Sequence, residues 1–545
     1  MKDRTAFGTL YETLQQTVAR FGERPAYAVP PMAGRSYHPD GVTFTWSQTA
    51  TEVEKRRRWY AQAGYGAGHR VAMLFEQRPE FVFHHFALNA LGASVVPLSP
   101  DHRPDEIAYV LAHSGATLAL AVPSRIDDLR QALRMVASPP GLAVFDDLTD
   151  PPPQPRAARR DEPPGLQTEA VVLYTSGTTG RPKGCLLSND YFHHFGSSFV
   201  RCGGPLALRE GVERLYNPLP LHHANALSIS LPALLRTGNC LVFPDRFHAS
   251  TWWDDMIACA ITAVQFQGVI PNILLKLAPD PRERRHTIRF ALCAGIEPSR
   301  HAAFEERYGF PLIEMWAMSE TGRIIAAHDE PRMIGKHAIG RAYPGFDARV
   351  IDAADCEVPD GVPGEFVIRH SSEEPRRGFF AGYLDDEAAT EEAWRGGWFH
   401  TGDVVTRGET GMFFFLERAK NIIRRAGENI AAAEVEACLV EHDSVKQVAV
   451  IAVPDEVREE EVLACVIVRD GAAPSDELAR DLVRWCCERV ATFKAPGWVI
   501  FVEHLPTTSS QKVHKIQLFP SGVDPRTHPG ARDLRELKNR PKAVR

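Results

Sequence analysis

Tyr174 to Gly184 reads YTSGTTGRPKG, and the run entering it, Ala170-Val-Val-Leu-Tyr174, is short and apolar. An apolar run of that length predicts a buried strand, which puts the glycine-rich segment at a strand end. Gly177 and Gly180 bracket Thr178 and Thr179, with Thr175 and Ser176 before them and Lys183 after. Glycine lets the backbone approach a ligand closely, so the loop can offer N–H groups, hydroxyls and one ammonium to a polyphosphate. The Walker pattern requires glycine directly before Lys-Ser/Thr, whereas Lys183 lies between Pro182 and Gly184, which excludes a P-loop NTPase.

Around this segment, strand-like runs alternate with helical patterns: 71–75, helix 79–91, 93–98, helix 104–114. Such alternation predicts βαβ units and a largely parallel sheet. Residues 139–164, rich in Pro, Arg and Asp, read as an exposed connector. After Phe415-Leu-Glu-Arg418 the pattern shrinks to helix 431–441, strands 445–453 and 462–468, helix 476–489 and strand 498–502, with no internal repeat. The expected fold is α/β. A large N-terminal domain (1–418) of mostly parallel sheets flanked by helices is followed by a junction at 419–421 and a small α+β domain (422–519). The basic tail 520–545 reads as a flexible terminus, with a phosphate or partner contact as the alternative.

A chain of 545 residues, 44% of them hydrophobic, can bury more than one large core. The net charge of −7 gives no reason to expect nucleic acid as a partner. Ten cysteines show no CxxC and only Cys486-Cys487 adjacent, neither a zinc nor a disulfide pattern, which predicts a reducing, cytoplasmic setting. MKDRTAFGTLYETLQQ lacks the apolar core of a signal peptide, and no apolar run approaches the roughly 18 residues of a membrane span. The sequence leaves the oligomeric state open.

The segment 174–184 resembles the phosphate-binding signature of the acyl-adenylate-forming superfamily: acyl-CoA synthetases, peptide-synthetase adenylation domains and luciferases. The resemblance covers nearly the whole chain, from Phe44-Thr-Trp46 and Arg70-Val-Ala72 to Leu505-Pro-Thr-Thr-Ser-Ser-Gln-Lys512. It implies an ATP-dependent acid–CoA ligase. A carboxylate attacks the α-phosphate of ATP, giving acyl-AMP and pyrophosphate, and the acyl group then passes to the CoA thiol. Because two anions must meet, the chemistry needs neutralisation and positioning more than a proton-transfer base.

By the same resemblance, Thr175, Ser176, Gly177, Thr178, Thr179, Gly180 and Lys183 hold phosphates. Trp316-Ala-Met-Ser-Glu-Thr-Gly322 is similar to the family's Tyr-Gly-x-Thr-Glu run. There Glu320 holds Mg²⁺, as a hard carboxylate suits, Ser319 stands at the threonine position, and Trp316 offers a ring near adenine. Ala317 replaces glycine and adds a methyl beside the acyl carboxylate. Asp403, in Trp398-Phe-His-Thr-Gly-Asp403, accepts from the ribose hydroxyls, and Arg418 binds ribose or phosphate. Gly295 and Glu297 line the adenine pocket. Lys512 reaches the acyl carboxylate and α-phosphate, although Gln511 replaces the family's glycine, and Lys515 is the alternative.

Arg418-Ala-Lys-Asn421 through Gly427-Glu-Asn429 resembles ligases of the carnitine/crotonobetaine-CoA type. The resemblance implies that the small domain is mobile about Asn421 and presents the loop at Gly427 to the CoA thiol. Residues 218–226 resemble the family's histidine segment, which implies that His223 lies beside the acyl group and that Asn225, Gln267 and Gly268 line the same cavity. Asn225 and Gln267 suit a polar acid. The sequence leaves two further readings: an adenylating enzyme that loads a separate carrier protein, or a binding protein of this fold without turnover.

Overall fold

The computed structural model of the protein describes residues 8–538 apart from 146–147, 176–181, 297, 419–421, 470, 507–514, 516–517 and 521–522. The chain divides into two units. One comprises Met1–Pro100, Leu111–Tyr174 and Gly184–Ala419; the other comprises Asp101–Val110, Thr175–Lys183 and Lys420–Arg545.

The alternating apolar runs give a seven-stranded sheet in the order Gly382–Tyr383, Lys183–Ser188, Glu169–Thr175, Ser94–Leu98, Arg70–Leu74, Leu118–Ala121, Gly141–Val144. From Glu169–Thr175 onward its strands run parallel. Helix Pro79–Ala90 connects Arg70–Leu74 to Ser94–Leu98. Proline at its first position needs no N–H donor. The helix is buried on nearly every face, which is why its apolar residues show little amphipathic pattern.

An eight-stranded sheet takes the order Ile325–Ala326, Leu312–Trp316, Phe290–Ala294, Ala263–Gln267, Arg214–Tyr216, Cys240–Val242, Pro25–Val29, Val42–Thr45. Its interior pairings are parallel and its two edge pairings antiparallel. The sequence pattern did not predict a third sheet, antiparallel throughout: Ala338–Arg341, Met412–Arg418, Phe399–Arg407, Gly364–Arg369, Asp347–Ile351.

The connector 139–164 is more structured than its composition suggests. Gly141–Val144 forms the last strand of the seven-stranded sheet. Beyond it, backbone carbonyls are gripped by side chains from earlier in the chain. The Trp59 indole donates to Asp150 at 2.5 Å, the Tyr65 hydroxyl to Pro153 at 2.7 Å and His69 Nε2 to Ala157 at 2.9 Å.

In the second unit, Val445–Asp455 pairs with Glu459–Val468, and the sheet continues through Ile422–Arg425 to Glu428–Ala431 on one side and Trp498–Phe501 on the other. Helices Ala432–Val440 and Asp476–Arg489 cover a core that includes Val435, Leu439, Val466 and Leu482. Ser475 caps the second helix, its hydroxyl accepting from Leu478 N–H. The tail from 520, read from sequence as flexible, instead adds a strand: Arg532–Asp533 pairs with Trp498–Phe501. Leu534 joins the core and Lys538 finds a buried carboxylate, contacts that no local periodicity announces. Among the described residues no helix is long and apolar enough to cross a membrane, and all ten cysteines are free.

Candidate active site

In the eight-stranded sheet, register places Gln267 beside Ala294 and Ala294 beside Met315. The carboxyl ends of these parallel strands therefore open together onto Gly268, Gly295 and Ala317, while Arg214–Tyr216 leads into Asn217 and the 218–226 segment. Carboxyl ends of open parallel sheets are where such folds bind ligands. Gly268 N–H donates to Ala294 O at 3.0 Å, closing the rim, and Gly295 adopts φ 74°, which glycine reaches without strain.

The turn after Trp316 is fixed from several sides. The Tyr191 hydroxyl donates to Ser319 O at 2.7 Å, Phe380 N–H donates to Glu320 O at 2.9 Å, and Met318 N–H donates to the Thr321 hydroxyl at 3.2 Å. Gly322 (φ 62°) lies so close to the Gly378 carbonyl that a Cβ would collide with it. The Glu320 side chain is buried, and its Oε1 accepts from the Tyr383 hydroxyl at 3.0 Å. Burial, reinforced by the Glu320 charge, pushes the Tyr383 phenol well above its ordinary value, so it remains a donor. Tyr383 itself is set by the pairing of Gly382–Tyr383 with Lys183–Ser188, where it faces Cys185. A carboxylate held this way presents hard oxygen to a cation, which fits Mg²⁺.

Trp316 does more than offer a ring. Its indole N–H donates to Asp403 Oδ2 at 2.8 Å, and the ring meets Phe366 edge-on at 5.0 Å. Asp403 is fully buried, and its N–H donates to the Thr401 hydroxyl at 3.1 Å. Across the sheet Asp403 is the register partner of Arg418.

Asn225 begins a π-helical turn, Asn225–Ser230, shortly after His223; such turns frequently mark functional sites. The Asn225 Oδ1 accepts from Asn217 Nδ2 at 3.0 Å and from Gln265 Nε2 at 2.9 Å. Ser230 Oγ receives Asn217 Nδ2 at 2.8 Å and donates to Gln265 Oε1 at 2.7 Å. Two donors saturate the Asn225 carbonyl, so any contact from Asn225 to an acid must come from its amide nitrogen. Sequence reading missed Asn217, Gln265, Ser230, Tyr191 and Tyr383. Only the polar residue inside the apolar strand Ala263–Gln267 was a signal available beforehand.

Thr175 closes strand Glu169–Thr175 and Lys183 opens Lys183–Ser188, so the glycine-rich segment joins adjacent strands. Ser176, Gly177, Thr178, Thr179, Gly180, Glu297, Asn421 and Lys512 lie outside the described residues. Within the second unit Gly427 (φ 90°) sits at the turn between Ile422–Arg425 and Glu428–Ala431. Lys515, the alternative to Lys512, is engaged elsewhere: its Nζ lies 2.7 Å from Glu436 Oε1.

Residues 14–384 match the family model of the AMP-binding enzyme, and residues 434–512 match the AMP-binding enzyme C-terminal domain. Over 525 residues the chain is 32% identical to a sulfoacetate–CoA ligase of Cupriavidus necator, covering 94% of this chain and 98% of the relative. A crotonobetaine/carnitine–CoA ligase of Proteus mirabilis is 29% identical, covering 87% and 93%. Among solved structures, an o-succinylbenzoate CoA synthetase of Bacillus subtilis superposes with TM-score 0.79 at 23% identity, covering 93% and 98%, which shows the fold. An amide bond synthetase of Marinactinospora thermotolerans gives 0.78 at 26% identity, with the same coverage. ATP and CoA are substrates of these CoA ligases. The chain belongs to the AMP-binding enzyme family, and within it to the AMP-forming acid–CoA ligases.

Proposed function

We propose that this enzyme activates a short polar or charged carboxylic acid, with the residues of the sheet rim holding the nucleotide, the metal and the acid. The acid's carboxylate attacks the α-phosphate of ATP, and pyrophosphate leaves. The segment from Thr175 to Lys183 cradles the phosphates with backbone N–H groups and one ammonium. Glu320, steadied by Tyr383, is the carboxylate that would hold Mg²⁺, whose charge offsets that of the phosphates. Asp403, its carboxylate oriented by the Trp316 indole, takes the ribose hydroxyls. Lys512 supplies the cation for adenylation, and the turn at Gly427 serves transfer to the CoA thiol.

One observation carries the substrate class. Beside the rim, where a pocket for an alkyl chain would be apolar, the chain buries an amide cluster of Asn217, Asn225, Ser230 and Gln265, with Gln267 at the edge. The cluster's carbonyl and hydroxyl atoms bond one another, so the discrimination rests on the Asn225 amide nitrogen that they orient: a site built to hydrogen-bond rejects a group that cannot meet such a donor. The relatives support the same class, since sulfoacetate and carnitine each carry a second charged group beyond the carboxylate.

The test is CoA-thioester formation and acid-dependent ATP–pyrophosphate exchange across a panel of short acids: sulfonated, carboxylated, quaternary-ammonium and plain alkyl. Polar acids should exceed alkyl acids of equal length by roughly tenfold or more in kcat/KM, the worth of about one hydrogen bond. Equal use of alkyl acids would overturn the substrate class, and exchange without a CoA thioester would overturn the choice of acceptor.

A further inference from the structure

Residues 523–538 follow the C-terminal family match, which ends at 512, and they reach the hairpin that carries Gly427. That hairpin, Ile422–Arg425 with Glu428–Ala431, turns through Ala426 (φ 51°) and Gly427 (φ 90°). The hairpin joins the sheet through Arg425 beside Glu459 and buries Ile423 and Ile430 in the core, and two polar ties secure its turn end.

The first tie starts at Lys538. Its Nζ lies 2.5 Å from Glu461 Oε1, and the same carboxylate receives Arg425 Nε at 2.9 and 2.8 Å on its two oxygens. Glu461 is fully buried and the Lys538 side chain is 2% exposed, so these are desolvated, charge-assisted contacts. Arg425 is the last strand residue before the turn. The second tie starts at Arg535, whose guanidinium donates to Asp455 Oδ2 at 2.9 Å. Asp455 Oδ1 accepts from Val457 and Arg458 N–H at 2.9 and 2.8 Å, and Arg458 O accepts from Ala426 N–H at 2.9 Å. Strand Arg532–Asp533 and the bond from Leu534 N–H to Gly497 O, 2.9 Å, hold both cations in place. A Cβ on Gly497, just before strand Trp498–Phe501, would sit 2.6 Å from Glu461 Cγ and 3.0 Å from Arg535 Cγ, so glycine makes room there for both side chains.

We propose that Arg532–Lys538 is a positioning strap for the Gly427 hairpin, and that Arg535 and Lys538 act through it on the thioester step. This rests on the acid–CoA ligase reading above. In that step the CoA sulfur attacks the acyl carbonyl of acyl-AMP and a C–S bond forms. The C–O bond to phosphate breaks, AMP leaves with the electron pair, and the thiol proton passes to solvent. The strap touches none of these atoms. It sets the shape of the turn that meets the thiol.

The experiment uses the full-length enzyme with Arg535→Ala, Arg535→Lys and Lys538→Met, measuring ATP–pyrophosphate exchange, thioester formation from preformed acyl-AMP, and KM for CoA. Arg535→Ala should slow thioester formation roughly tenfold and raise KM for CoA while exchange stays within about twofold, the scale of one lost charge-assisted contact. Arg535→Lys should restore part of the loss. Equal damage to both half-reactions, or none to either, overturns the strap. Hydrogen exchange of the amides at 423–430 supplies a readout that needs no activity: Arg535→Ala should lower their protection, and unchanged protection overturns the proposal. Wild-type enzyme without acid-dependent exchange would overturn the functional reading, while the amide protection would still decide the strap.

Discussion

Trp316 and Asp403, 87 positions apart in sequence, are joined by a hydrogen bond from indole to carboxylate inside the first unit. The bond fixes the orientation of the buried Asp403 carboxylate. Trp316→Phe keeps an aromatic ring but removes the donor, and an unpaired buried acceptor costs about 1–3 kcal/mol. KM for ATP should rise roughly tenfold or more while the protein stays folded. An unchanged KM for ATP would separate Asp403 from nucleotide binding.

Glu320 and Tyr383 should act as a unit toward the cation. Glu320→Gln preserves shape and removes charge, so the Mg²⁺ concentration for half-maximal adenylation should increase strongly. Tyr383→Phe removes only the steadying donor and should produce a smaller shift in the same direction, a few-fold at most. A flat Mg²⁺ titration for Glu320→Gln would place the ion on other ligands.

Lys512 and Lys515 can be told apart by substitution. Lys515 is held by Glu436, whose Oε1 also accepts from Val450 N–H at 2.7 Å. Lys512→Ala should cut ATP–pyrophosphate exchange by roughly 10²-fold or more, as expected when a cation is removed from developing charge. Thioester formation from preformed acyl-AMP should suffer much less. Lys515→Ala should leave exchange within about threefold. The reverse ranking would move the adenylation cation to Lys515.

Lys538 should give the fold a rising stability toward alkaline pH. Burial, with the Arg425 charge beside it, lowers its ammonium from the ordinary 10.5 to about 7. Between those values the unfolded chain carries more protons than the folded one, so stability increases with pH across that window, and below about 7 the full cost of the buried charge remains. Denaturant midpoints at about pH 6 and about pH 9 should differ more in the wild type than in Lys538→Met. Parallel pH profiles would show that the lysine titrates normally.

How much of this was legible in the sequence depended on distance along the chain. The βαβ units were readable because each strand and helix declares itself within a dozen residues, and the family was readable because the glycines and hydroxyls of its motif at 174–184 are contiguous. The antiparallel sheet from Ala338 to Arg418 was not, since its strands run buried and half-buried positions together without clean alternation. Tyr383 stood 63 residues from Glu320 and became its partner only through an edge-strand pairing. Asn225 reads from sequence as lining the acid's cavity, and its carbonyl is spent on Asn217 and Gln265, a cluster assembled from one strand end, the middle of another strand and a π-helical turn. The tail misled for a related reason: it is basic and lacks apolar period, but its charges are met by carboxylates far upstream.

The grip on the connector after Val144 has an evolutionary corollary. Trp59, Tyr65 and His69 hold it by main-chain carbonyls at Asp150, Pro153 and Ala157, and a carbonyl is the same acceptor whatever side chain is attached. The identity of the residues there is therefore free to drift, as the run of prolines and arginines suggests, while the number of residues between successive grips is not. Substitutions at its exposed positions, such as Pro151 and Gln154, should be nearly silent. A single-residue deletion between Asp150 and Ala157 would pull at least one buried donor out of register.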